Sequence, residues 1–345
     1  MTFIEAIKDG FRLVNRNWQL VLIQISMLFI SAIGAFIIVG LPLAIAFIIF
    51  GIDLTGLTDV RDVLGMLRGP SDILSKYLGL VLIILSSILL YVLAIALLGI
   101  YVFGGSIGII GRSLRDGSLK FQMGIFFGEA KSLFLRLLGF TSVIAIIFII
   151  AFFFLGILGG GIAALVSFAQ TQDSTLALFF GTFFSLILFV IALFVILGIL
   201  SVALYGMAAL FFKDAGPAKS VREATRYLIR NPNAFWLYAV LFLGYLGAFF
   251  LLILLSYPFT LIPVIGTILS FPYQLISYTF QTYLGLMIIA AAFSYYYSTE
   301  FPAAPAAQAE PSAGGPLSEP YRQGQRTQGS DTGSAAQETL ERPSE

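Results

Sequence analysis

Residues 137–172 read LLGFTSVIAIIFIIAFFFLGILGGGIAALVSFAQTQ, 36 positions without one Asp, Glu, Lys or Arg. About 20 helical residues cross the roughly 30 Å hydrocarbon core of a bilayer. As a helix this stretch would reach about 54 Å, so it crosses with length to spare and must tilt, kink or project into water. Four more intervals are equally free of charge: 17–52, 77–111, 174–212 and 231–299, of 36, 35, 39 and 69 residues. Each of the shorter intervals holds one crossing. The longest holds two, because Pro258, Pro263 and Pro272 cluster in its middle and proline breaks a helix.

The expected spans are therefore 18–42, 78–103, 138–164, 178–203, 234–256 and 273–296. Together they make an all-α, polytopic membrane bundle of six transmembrane helices within residues 1–298. Gly40-Leu41-Pro42 should kink or end the first span, and Gly104-Gly105 should bend the second. The run Gly159-Gly160-Gly161 is a candidate break in the third. No basic segment with a short apolar core precedes the first span, so that span is not expected to be a cleaved signal.

Composition agrees and excludes much chemistry. Hydrophobic residues make up 59% and charged residues 11%, against about 25% charged in soluble domains. There is no histidine and no cysteine. Imidazole and thiolate metal sites, Ser-His-Asp triads, disulfides and thiol redox chemistry are thereby ruled out. A net charge of +1 gives no pull towards nucleic acid. The acids and bases are scattered through juxtamembrane segments, so no enzyme, catalytic residue, cofactor or metal site is expected.

Orientation follows from the Lys and Arg counts. The amino-terminal segment carries Lys8, Arg12 and Arg16; the segment after span 2 carries Arg112, Arg115, Lys120, Lys131 and Arg136; the segment after span 4 carries Lys213, Lys219, Arg222, Arg226 and Arg230. The other side carries only Arg61, Arg68 and Lys76. Thirteen against three predicts a plasma membrane protein (the cytoplasmic membrane of a prokaryote) with both termini in the cytoplasm. From residue 299 the composition turns to Ala, Pro, Ser, Gly, Gln and Glu, with seven acids and three arginines. Such a stretch buries too little to fold and reads as a disordered acidic cytoplasmic tail, 299–345.

The juxtamembrane segments repeat. Glu5-Ala6, Glu129-Ala130 and Glu223-Ala224 each precede an odd-numbered span, with Arg12, Arg136 and Arg230 seven residues after the Glu. In the outer two copies, Asn15 and Asn233 follow ten after it, and Trp18 and Trp236 thirteen after it. Thr2-x-x-Glu5 and Ser220-x-x-Glu223 both have the form of a capping box. The expected unit is one amphipathic helix followed by a membrane hairpin, three times over. Phe3, Ile7, Phe11 and Val14 would form the apolar face of the first copy, and Val221, Ala224 and Leu228 that of the third. Such helices set topology and seal the bundle edge. They also offer lipid headgroup contacts, for which the candidates are Lys8, Arg12, Arg16, Lys131, Arg136, Lys219, Arg222, Arg226 and Arg230.

Glu5-Ala6 through Arg16-Asn17-Trp18, and Glu223-Ala224 through Arg230-Asn231-Pro232, carry a resemblance. An amphipathic segment of this kind before a membrane hairpin resembles a broad group of six-helix membrane proteins. The group includes the membrane domain attached to some glycerophosphodiester phosphodiesterases. The resemblance covers about residues 1–297 and implies a six-helix fold in a membrane. The soluble barrel that performs hydrolysis in those enzymes has no counterpart here, so no active site is carried over.

No acid or base lies inside an expected span, which argues against proton-coupled transport. The clearest polar feature is on span 6, where Gln274, Ser277, Tyr278, Gln281, Thr282 and Gly285 share about 140° of the helix circumference. Gln24 and Ser31 lie seven apart on span 1. Interhelical hydrogen bonding is the simpler use of these groups. A polar groove for a lipid headgroup or small solute, formed by Gln274, Ser277, Tyr278, Gln281 and Gln24, is the other. Gly104-x-x-x-Gly108 and Gly156-x-x-x-Gly160 fit close helix packing. Asp53, Asp59, Asp62 and Asp72 lack a calcium-loop spacing and fit a solvated amphipathic helix along 57–67. The expected function is a non-enzymatic membrane protein, a scaffold or accessory subunit engaging membrane lipids, a membrane-protein partner or a second copy of itself. A transporter or channel using the span 6 groove is the alternative.

Overall fold

In the computed structural model, the described residues are 1–55, 70–117, 119–260 and 263–302. Among them every regular element is helical: α1 Phe3–Arg16, α2 Gln19–Ala35, α3 Leu41–Thr55, α4 Pro70–Arg115, α5 Met123–Gln172, α6 Ser174–Phe212, α7 Pro217–Arg230, α8 Pro232–Thr260 and α9 Pro263–Glu300. Six helical stretches are long and apolar enough to cross a bilayer: Gln19–Ile49, Leu78–Arg115, Met123–Gln172, Ser174–Phe212, Pro232–Pro258 and Leu269–Glu300. The protein is an integral membrane protein, an all-α bundle with the six crossings its charge-free intervals demand.

Several expected breaks are absent. Pro42 does not end the first span. A π-helical stretch, Phe36–Gly40, joins α2 to α3, and the Leu41 amide donates to the Phe36 carbonyl. The wider turn makes room where a proline ring would meet the carbonyl four residues back. Gly104-Gly105 lies within the unbroken α4, and Gly159-Gly160-Gly161 within the unbroken α5. In hydrocarbon a broken helix leaves backbone groups without partners, so helix persists through glycines that would end it in water. α8 ends at Thr260 and α9 opens at Pro263, with Pro258 inside α8 and Pro272 inside α9. The helix expected along 57–67 and the side chains of Asp53, Asp59, Asp62 and Asp72 lie outside what is described. So does the tail from 303 onward, whereas Thr299 and Glu300 belong to α9.

The packed core gathers at the end of the bundle that carries the Lys and Arg residues, here the basic end. Val14, Leu20, Ile107, Ile110, Phe126, Leu137, Tyr205, Leu210, Leu237, Phe293 and Tyr296 are buried there. Further along the spans Ile149, Phe153, Phe189 and Phe250 stand exposed, as side chains facing lipid must. Small residues bring the helices together. A Cβ on Gly10 of α1 would lie 2.8 Å from the Ala291 nitrogen and Met287 carbonyl of α9, so the two backbones touch. Gly104, Gly105 and Gly108 of α4 receive Leu137, Phe126 and Glu129 of α5. Gly206 of α6 receives Phe140 of α5. Gly156 and Gly160 have no neighbour within 4 Å, so that small-residue pair packs against nothing among the described residues.

Candidate functional site

The three juxtamembrane segments start alike. Thr2, Gln122 and Gly216 are extended N-caps to helices opening at Phe3, Met123 and Pro217. Aligned on those starts, the seventh residues are Asp9, Glu129 and Glu223, the eighth are Gly10, Ala130 and Ala224, and the fourteenth are Arg16, Arg136 and Arg230. The small residue is buried in every copy. The second and third copies keep the register of their Glu-Ala pairs. The first is displaced by four residues, one helical turn, so Asp9 and Arg16 are the counterparts rather than Glu5 and Arg12. Trp18 and Trp236 are therefore not equivalent, although both are exposed.

The caps differ in chemistry. Thr2 and Glu5 form the expected capping box, with the Thr2 amide donating to Glu5 at 2.7 Å and the Glu5 amide to Thr2 Oγ1 at 3.3 Å. Hydrogen bonding of the Glu5 carboxylate by Thr2, first from its backbone amide and then from its side chain, lowers the Glu5 pKa. Ser220 is no cap. Pro217 opens α7, its fixed φ suiting the first turn, and Ser220 Oγ instead donates to the Gly216 carbonyl at 3.0 Å. Asn17 and Asn231 end α1 and α7, their side-chain amides donating to the carbonyls of Leu13 at 3.0 Å and Tyr227 at 3.3 Å. The middle copy has Leu137 there, buried against Gly104. Apolar side chain in place of amide cap, α5 continues without a break into its span. The three juxtamembrane segments are thus two separate helices and one fused with its span.

Each acid meets the end of an even-numbered span. Ser294 Oγ on α9 donates to Asp9 at 3.4 Å, and Asp9 pairs with Arg12 at 3.5 Å. Glu129, nearly buried, pairs with Arg112 on α4. Glu223 pairs at 3.4 Å with Lys213, just past α6, and Lys213 also holds Glu300 at 2.7 Å. Burial opposes the Lys213 charge, but the Glu300 hydrogen bond, Tyr296 and the Glu300 charge outweigh it, and its pKa is raised. Tyr227 joins the same region, its ring 4.8 Å from that of Tyr296, and burial raises its phenol pKa.

The basic candidates divide. Arg16 turns inward and donates to the carbonyls of Gly117 and, at 3.0 Å, Ser113. Arg136 pairs with Asp214, a residue held at φ 50° in the left-handed region that aspartate tolerates. Arg12 pairs within α1. Lys8, Lys131, Lys219, Arg222, Arg226 and Arg230 are exposed and form no hydrogen bond or ion pair among the described residues. The apolar face of α1 is rotated from the expected one: Ala6, Gly10, Leu13 and Val14 are buried, while Phe11 is 52% exposed. The close backbone approach at Gly10 sets that face, because only small residues permit it.

The polar stripe lies on α9 beside α2. The Tyr278 hydroxyl donates to the Gln24 carbonyl at 3.4 Å, and Gln24 Nε2 donates to Ser106 Oγ on α4 at 3.4 Å. Gln281 Nε2 donates to Ser277 Oγ within α9 at 3.1 Å. Ser277, Tyr278, Gln281 and Thr282 are half-buried and Gln274 is exposed. Ser31 Oγ, seven residues after Gln24 on α2, shares a hydrogen bond with the Tyr91 hydroxyl of α4 at 2.8 Å. Among the described residues no three metal-ligating side chains lie together as a candidate cation site.

Sequence reasoning missed the Arg112–Glu129 pair and the Lys213–Glu223–Glu300 cluster. The available signal was a glutamate recurring at one place in the repeat opposite a basic residue at a span's end. Comparison of the chain with family models, curated proteins and solved structures finds no match in any of the three.

Proposed function

We propose that the protein is a non-enzymatic membrane scaffold or accessory subunit of the plasma membrane, with its basic end and both termini in the cytoplasm. It engages lipid, a membrane-protein partner or a second copy there. One observation carries the reading. Hydrogen bonds tie three spans together through Tyr278, Gln24 and Ser106 and through Ser31 and Tyr91, while Arg222, Arg226 and Arg230 at the basic end pair with no carboxylate among the described residues. Polar groups used for packing support a fixed bundle whose work is done on its surface. The resemblance to six-helix membrane domains enters as a membrane setting alone.

The chain has no cysteine, so single cysteines can be introduced cleanly along α9. At 278 and 281 they should resist a water-soluble thiol reagent as fully as at 276 and 280, which face outward. Thiolate, the reactive form, is disfavoured in apolar surroundings. Labelling confined to 278 and 281 would report a wet groove and establish the transporter reading in place of this one.

A further inference from the structure

The third juxtamembrane copy differs from its siblings in charge, and the difference lies over a groove. Arg222, Arg226 and Arg230 stand at i, i+4 and i+8 of α7 and so form one stripe. The same places in α1 are Lys8, Arg12 and Arg16, and in α5 Gly128, Ser132 and Arg136. In α1 two of the three are engaged, Arg12 with Asp9 and Arg16 with the carbonyls of Ser113 and Gly117, which leaves Lys8 alone. In α5 the one arginine pairs with Asp214. In α7 the acid that could neutralise the stripe, Glu223, is turned to Lys213 instead. Three guanidinium groups are left without a carboxylate among the described residues. With Thr225 and Ile229 they line a depression of about 500 Å³.

Thr225 and Ile229 also line a second, almost wholly apolar groove of about 370 Å³. Gly198, Val202, Leu228, Pro232, Phe235 and Trp236 complete it. The groove therefore runs from the arginine stripe onto the membrane-spanning surfaces of α6 and α8. Trp236 is 55% exposed at its rim, and indole favours the headgroup level of a bilayer. The two surfaces meet as the two parts of a phospholipid do: an open guanidinium face on α7 that suits a phosphate, then an apolar trough for a chain.

We propose that this surface is a specific site for one anionic phospholipid of the leaflet at the basic end, its phosphate held by Arg222, Arg226 and Arg230 and its acyl chain in the groove of Gly198, Val202, Phe235 and Trp236. A phosphate ion or a soluble phosphorylated ligand would use the arginines and leave the groove empty, so continuity with the groove commits the site to lipid. The proposal rests on the lipid-engaging reading of the protein. It makes that reading local: Lys219 stands outside the lining, and Lys8 and Lys131 lie on other copies.

The test is native mass spectrometry of the full chain in detergent, titrated with phosphatidylglycerol and, separately, phosphatidylcholine. Wild type should retain one phosphatidylglycerol in preference to phosphatidylcholine. R222Q/R226Q/R230Q should lose about a hundredfold in apparent affinity, at roughly fivefold per guanidinium near an anionic surface. The control K8Q/R12Q/K131Q removes three charges elsewhere at the same end and should retain the lipid. Equal loss in both triple variants, or none in the first, overturns the site. Gly198→Phe probes the groove: no atom lies within 4 Å of a Cβ built there, so the ring can enter the trough with the fold intact. It should weaken phosphatidylglycerol at least tenfold and leave inorganic phosphate binding unchanged. Undiminished lipid binding in G198F overturns the acyl groove. Thiol labelling of α9 decides scaffold against transporter by a separate readout, so either result can fail alone.

Discussion

Replacing Gly10 by alanine tests the contact on which the basic end is assembled. Inside a helix, alanine is favoured over glycine by about 1 kcal/mol, so on propensity alone the substitution should stabilise α1. The new Cβ, however, would lie 2.8 Å from the Met287 carbonyl oxygen, 2.8 Å from the Ala291 nitrogen and 2.9 Å from the Ala291 Cβ. Comfortable separations are about 3.5–4.0 Å. None of these atoms is the free end of a side chain, so no rotamer change relieves the clash. α1 must lift from α9 by several tenths of an ångström. Overpacking of this kind costs about 1–3 kcal/mol. Gly128→Ala is the control: it also lies inside a helix, and no atom lies within 4 Å of its added Cβ. The propensity gain is common to both, so the two variants should differ by the overpacking cost, about 1–3 kcal/mol. Thermal or denaturant unfolding in one detergent measures it. Equal shifts in the two variants would refute the backbone contact between α1 and α9.

Reporters active only in the cytoplasm should work when fused after residues 125 and 218 and stay silent near 65, 172 and 266; activity at 172 would refute the proposed topology. Arg112→Ala should destabilise more than Glu129→Ala, because Glu129 keeps 9% side-chain exposure and Arg112 50%; the stranded acid costs about 1–3 kcal/mol, read by unfolding of both single variants. Arg16→Lys should lose stability comparably to Arg16→Gln, since an ammonium cannot reproduce a guanidinium's fork to two carbonyls; full rescue by lysine would show that charge alone matters there. Thr2→Ala should cost about 0.5–2 kcal/mol through the lost cap, and Ser220→Ala should not cost a cap at all.

The crossings were legible because their physics is local. Absence of charge over 35 residues or more is read one residue at a time, and the bilayer imposes helix on it. The likeness of the three juxtamembrane segments is legible in letters, but their helix starts set a different register. Identical letters drew Glu5 and Trp18 into alignment with Glu223 and Trp236, whereas equivalence in space follows the helix starts and the close-approach residues Gly10, Ala130 and Ala224. Aspartate at position 9 does glutamate's work there, which letter matching does not reward. The half-exposed place of Phe11, at the edge of the contact with its ring 5.9 Å from that of Tyr283 on α9, was not legible either. Its spacing fits an apolar face, but α9 presents backbone at Ala291, and only a small residue can meet backbone. The stripe on α9 was visible by periodicity, yet its partners Gln24 and Ser106 are 254 and 172 residues distant from Tyr278 along the chain, beyond the reach of any local pattern.

The fused middle copy has a mechanical corollary. α5 has 50 residues, a rod of about 75 Å with no joint between the Arg112–Glu129 clasp and the turn at Asp173. At Asn17 and Asn231 the other two copies are interrupted before their spans begin. A displacement of the Met123 end must therefore bend α5 or move it as one body, whereas α1 and α7 can turn about a few backbone bonds without moving α2 or α8. Of the three segments at the basic end, one shares a continuous helix with its span and two do not.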